Sequence, residues 1–234
     1  MPQYKDELAN FLPSQKSLEV FADSDIGKQL LHSFDRCLIW LKLLQLTYNE
    51  QSGEVLLFAA HSKIVELWVL VPLRLLHPAF SSLRTMMDIV FSYSYYVYHP
   101  KEWDSICLGE NNWEGRAGIL DWHIQFSPHF QEYNKGFGIR LTLDKLHEEL
   151  SHFIHGIPIE GLPTMLSLDR AELEKTDITP VVELAARVDN GLNTFLIGVF
   201  HSLLPTLSQA EYKSVLAGID KAKLADCGIT LPSV

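Results

Sequence analysis

An all-α fold, a compact bundle of about six to eight helices, is what this sequence predicts, and three observations predict it. Apolar residues recur at steps of three and four through long stretches. No stretch alternates apolar and polar residues as a half-buried strand would. Clusters of Pro, Gly and Asn fall mostly between the periodic stretches. The chain of 234 residues, 47% hydrophobic and 21% charged, is long and apolar enough to bury a sizeable core. We expect residues 1–23 as an N-terminal extension and 24–234 as a single helical bundle domain.

The elements follow in order. Residues 1–23 have weak periodicity and predict one short helix and a loop. From Ser24 to Tyr48 the apolar positions Ile26, Leu30, Phe34, Cys37, Leu41 and Leu44 mark an amphipathic helix. A second helix is expected from Glu54 to Leu76, kinked or ended by Pro72, which lacks an N–H and clashes with the preceding turn. A third, Ser82 to Tyr98, is apolar on almost every face and so is expected in the core. Residues 100–112 read as a polar loop. A helix over Trp113–Phe126 follows, then a stretch broken by Gly136 and Gly138, with Phe137–Leu143 the segment of least helical character. Thr142 is a candidate N-cap for a helix ending at His155. After a loop of about 20 residues, in which Asp169–Lys175 is a candidate short helix, Thr179-Pro180 opens a long helix to Leu204. Ser208 and Glu211 have capping-box spacing and begin a last helix to Lys223.

Composition limits function. A net charge of -10 weighs against broad electrostatic binding to nucleic acid, which needs a basic face to displace counterions. It leaves room for a small basic pocket, or for a protein partner that supplies the positive charge. Cys37, Cys107 and Cys227 are odd in number, far apart and without zinc spacing, which suits a reducing, cytoplasmic setting. The start of the chain does not read as a signal peptide. The longest apolar stretch, Val55–Leu76, carries His61, Lys63, Glu66 and Arg74, so it reads as a core helix and no membrane association is expected.

Two constellations stand out. Arg84, Asp88, Ser92, Tyr95 and His99 lie three or four residues apart on the third helix and share one face. They read either as a structural pair that fixes packing or as a pocket in which Arg84 binds an anion such as phosphate. On the later helix, Glu148, Ser151, His152 and His155 fall along one stripe. Histidine there reads either as surface or packing, or as an acid–base group. Glu149 to His152 has the E-x-x-H spacing of di-iron bundles, but those need a second such motif and two more carboxylates. No phosphate-binding glycine loop, zinc hydrolase signature or nucleophile turn is present. Tyr93, Tyr95, Tyr96, Tyr98 and Trp103 read as aromatic core packing. No cofactor is expected.

Ser82-Leu83-Arg84-Thr85-Met86-Met87-Asp88, running on to Tyr98-His99-Pro100, resembles the second main helix of HEPN-like (higher eukaryotes and prokaryotes nucleotide-binding) proteins. Leu150-Ser151-His152-Phe153-Ile154-His155-Gly156 resembles a later helix of the same branches. The similarity covers roughly residues 54–160. It implies a helical bundle that often forms homodimers, and either a metal-independent ribonuclease of a toxin or antiphage defence system or an inactive scaffold. Active members carry an R-x4-6-H motif with a polar residue after the arginine. Arg140 and His147 have that spacing, but Leu141 departs from it. The resemblance puts Arg84 and His155 on facing helices, as the expected catalytic pair; Asp88, Tyr95, Glu148, Ser151 and His152, from the two constellations above, are the candidate binding residues. The other reading is a non-catalytic protein-interaction module in which the same residues form a structural polar network.

Overall fold

The structure, a computed structural model, describes residues 15–49, 51–155 and 177–228, and every regular element within them is helical. The chain is an all-α bundle. Among the described residues no helix is long and apolar enough to cross a membrane.

Within the expected extension, α1 spans Gln15–Asp23. It lies close on α2 (Asp25–His32), where a Cβ on Gly27 would meet the carbonyl oxygen of Phe21. The expected single helix from Ser24 to Tyr48 is two helices, α2 and α3 (Asp35–Thr47). The break is local. The Ser33 hydroxyl donates to the Gln29 carbonyl, and Phe34 leaves helical geometry at φ -123°. Its ring is fully buried, so apolar periodicity runs through the break and hides it.

Helix α4 covers Glu54–Leu70 and ends before Pro72, in a turn where Arg74 takes a left-handed φ of 59°. It is less buried than its composition suggests. Val55, Phe58, Val65 and Val69 form an exposed apolar stripe on this helix, whose main packing partners among the described residues are α3 and α5.

Helix α5, Leu76–Tyr96, begins six residues before the expected Ser82. Pro78 sits in its first turn, where the missing N–H would have no intrahelical partner anyway. Helix α5 is the centre of the bundle, packed against α4, α7 (Arg116–Phe126), α9 (Ile139–His155) and α10 (Thr179–Phe200). The expected polar loop at 100–112 begins instead as α6, Pro100–Cys107, with proline at its start.

Helix α8 (Phe130–Phe137) ends at Gly138, whose φ of 63° turns the chain directly into α9. Thr142 is therefore inside α9 and is not its N-cap. Phe137–Leu143 is helical on both sides of Gly138. The candidate helix at Asp169–Lys175 lies outside the described residues. Helix α10 stops at Phe200 and tightens into a 3-10 turn, His201–Thr206, that contains Pro205. The capping box forms at Ser208 and Glu211 and starts α11 (Gln209–Val215). Gly218, at φ 77°, separates it from α12 (Lys221–Asp226), so the expected last helix is two short ones.

Gly198 sets how closely α10 approaches α8. A Cβ there would fall 2.3 Å from Tyr133 Cδ1 and 3.0 Å from Phe130 Cδ2. Both rings are buried at 1% exposure or less, so neither has space to move into. Gly198→Ala gains about 1 kcal/mol of helix propensity and loses more to overpacking. We expect a net destabilisation of about 2 kcal/mol in urea denaturation. An unchanged midpoint would show that the α8–α10 contact yields easily.

Candidate functional site

Arg84 and His155 meet. They project from α5 and α9, which pack together because α9 buries Ile139, Leu143, Leu146 and Leu150 along one side. Phe80 of α5 stacks on Phe153 of α9 with ring centroids 4.1 Å apart, one turn from the arginine. That apolar contact fixes the height of the polar groups beside it.

Arg84 Nη1 lies 3.0 Å from His155 Nε2, and Arg84 Nε donates to His147 Nε2 at 3.2 Å. Asp88 completes the group, 4.0 Å from Arg84 Nε and 3.6 Å from His147 Nε2. Guanidinium nitrogens only donate, so both Nε2 atoms act as acceptors and both rings carry their proton on Nδ1. The cluster is reachable by water. Side-chain exposure is 27% for Arg84, 43% for Asp88 and 18% for His147, and His155 is exposed.

The face of α9 turned to Arg84 is His147, Ser151 and His155, spaced by four. His147 was missed as a site residue because the R-x4-6-H pattern paired it with Arg140. The i, i+4, i+8 spacing was the signal for it. Ser151 lies between the two imidazoles and donates to the His147 carbonyl at 2.6 Å. Glu148 and His152 are exposed on the outer face, turned by 100° or more from His147, so the expected stripe through them does not face Arg84.

Tyr95 is not part of this site. It is 11 residues along α5 from Arg84, about 16 Å of helix. Its hydroxyl donates to Glu102 at 2.9 Å and its ring stacks on His99 at 3.8 Å. Ser92 also turns inward on its own helix, donating to the Asp88 carbonyl. Arg140 is held by Asp121 of α7 and by Asp144, which leaves the R-x4-6-H spacing without a shared centre. Glu149 of the E-x-x-H spacing makes a two-pronged ion pair with Arg187 of α10. Among the described residues, no group of three or more His, Cys, Asp or Glu side chains is placed to hold a metal ion.

Comparison of the chain with family models, curated proteins and solved structures found no match. The site's own geometry is what bears on function.

Proposed function

We propose that the chain is a HEPN-like helical protein that binds or cleaves RNA, with phosphate at Arg84 and proton transfer at His155 and His147. One observation carries this reading. A guanidinium lies between two imidazoles, with a carboxylate alongside, where water reaches all four groups. Such a set suits a phosphodiester. A phosphate at Arg84 takes over its donors through charge-assisted hydrogen bonds. That frees both Nε2 atoms. One imidazole then accepts the proton of an attacking hydroxyl, while the other, once protonated, delivers a proton to the leaving oxygen. Arg84 balances charge that builds on the phosphate. Asp88 stands where it stabilises a protonated His147.

The second reading is a structural network, and it too has an observation behind it. Arg84 Nε and Nη1 both have partners on α9, so the arginine also ties the two helices together. The acidic chain fits this reading as well. The two separate on His155→Ala and Arg84→Ala, tested on single-stranded oligoribonucleotides at low salt with chelator present. Under the first reading the purified chain cleaves, and each variant loses about 100-fold in rate. If the native chain neither cleaves nor retains oligoribonucleotide, and the variants lose only thermal stability, the cluster is structural.

A further inference from the structure

A second feature lies at the far end of α5, and it is independent of the RNA reading. Helix α6 and the turn into α7 fold into a knob over Tyr95 and Tyr96. Trp113 is the exposed tip. Its ring meets Tyr96 edge-on at 5.6 Å and Trp103 at 5.7 Å, with interplanar angles of 86° and 81°. Two buttressing rings hold it, yet 53% of it remains exposed. Leu108, at the end of α6, is 73% exposed on the same knob. Cross-links inside the turn keep it in shape. Ser105 donates to Glu110, Asn111 donates to Ser105, and the Glu114 N–H donates to the Tyr96 hydroxyl at 2.8 Å.

Charge on the knob is mostly negative. From Lys101 to Glu114 there are four carboxylates, Glu102, Asp104, Glu110 and Glu114, against one cation, Lys101. Two of them lie beside the aromatic group. Glu102 accepts from the Tyr95 hydroxyl, and Glu114, whose backbone N–H donates to the Tyr96 hydroxyl, turns its carboxylate to the Gly115 N–H at the start of α7. Burial is the main cause that pushes the Tyr95 and Tyr96 phenols up, and the negative charge of Glu102 and Glu114 adds to it at both. A rigid, exposed indole on a carboxylate-rich knob is matched by a cation carried on an apolar stem. Cations favour the face of tryptophan over other rings, and arginine and lysine bring methylenes that cover it. A second copy of this chain would bring carboxylate against carboxylate, and a nucleic acid would bring phosphate.

We propose that this knob is a docking surface for a basic segment of a protein partner, one arginine or lysine of which lies on the exposed ring of Trp113, with the carboxylates of the same knob supplying the opposite charge. The test is titration of the isotope-labelled full chain with a hexaarginine peptide, read on the tryptophan indole N–H resonances at low salt. The expected result is a saturable shift largest at Trp113. Trp113→Ala removes no charge, so diffuse attraction to an acidic protein survives it, whereas docking on the ring weakens about three- to thirtyfold. Glu102→Gln with Glu114→Gln flattens the salt dependence. The native titration stands without any variant, should Trp113→Ala not fold. The proposal is overturned by equal affinity in Trp113→Ala, by shifts spread over all five tryptophans, by a hexaglutamate or oligonucleotide probe that competes equally, or by Trp113 shifts that follow protein concentration alone.

Discussion

Replacing Asp189 with alanine is expected to destabilise the bundle by about 3–5 kcal/mol, the cost of breaking a buried ion pair from one side. Asp189 is 2% exposed, on the face of α10 turned to α3. Its Oδ2 accepts from Arg36 Nε at 2.7 Å, and its Oδ1 accepts from the Cys37 N–H at 2.8 Å. That N–H is at the start of α3, where no carbonyl of the helix can reach it. One carboxylate thus caps a helix and neutralises a guanidinium. Burial pushes the Asp189 carboxyl up, and Arg36 and the Cys37 N–H oppose that. Alanine strands both donors. Asparagine keeps an oxygen for Cys37 and is expected to cost less. The effect should appear as a lower urea midpoint with an unchanged slope. A loss under 1 kcal/mol would mean that water enters and replaces the carboxylate, and that α3 is not anchored here.

One turn further along α10, Asn193 does similar work. It accepts from Trp40 Nε1 at 2.9 Å and donates to the Val215 carbonyl at 2.8 Å, which joins α3, α10 and α11. Neither Asp189 nor Asn193 was legible as a core residue in the sequence. A polar side chain in a helix looks the same whether it meets solvent or a partner about 150 residues away. What was legible was local. The capping box at Ser208, the proline that opens α10 and the apolar character of α5 each depend on a few neighbouring residues. Helix limits failed where unbroken apolar periodicity hid a local break, as at Ser33–Phe34, and where a proline sits in a first turn instead of ending a helix, as at Pro78 and Pro100. The candidate site was half legible. Arg84 and Asp88 could be read from one helix. That His147 and His155, rather than Glu148 and His152, face them depends on how α9 is rotated against α5. The buried leucines of α9 set that rotation, and only the packed structure shows it.

Acid is expected to destabilise this protein through His123, whose ring is fully buried between α5 and α7. The Ser94 hydroxyl donates to the Phe91 carbonyl, so its oxygen is left to accept from His123 Nε2, 2.9 Å away. His123 Nδ1 then accepts from the Ser127 hydroxyl at 2.7 Å. Both nitrogens are satisfied in the neutral ring, and a second proton, on Nδ1, would force the Ser127 hydroxyl to turn and accept. Phe130, Phe195 and Trp122 pack around it, so a charge there has no solvent. Burial, helped by repulsion from His99, pushes its pKa down to about 3. The unfolded chain takes up this proton near pH 6.5 and the folded chain does not until about pH 3. Folding therefore excludes a proton throughout that window. The stabilisation is complete above pH 6.5, falls by about 1.4 kcal/mol for each unit below it, and has lost about 2 kcal/mol at pH 5. His123→Gln removes the titration while keeping an amide that can donate and accept. Its stability curve should be flatter by that slope, so the gap between native and variant narrows as pH falls. Burial pushes His201 down as well, which adds acid sensitivity of the same sign to both proteins and leaves their difference unchanged. Parallel curves between pH 7 and 4 would place His123 in contact with water, and the aromatic shell around it would then have to open in solution.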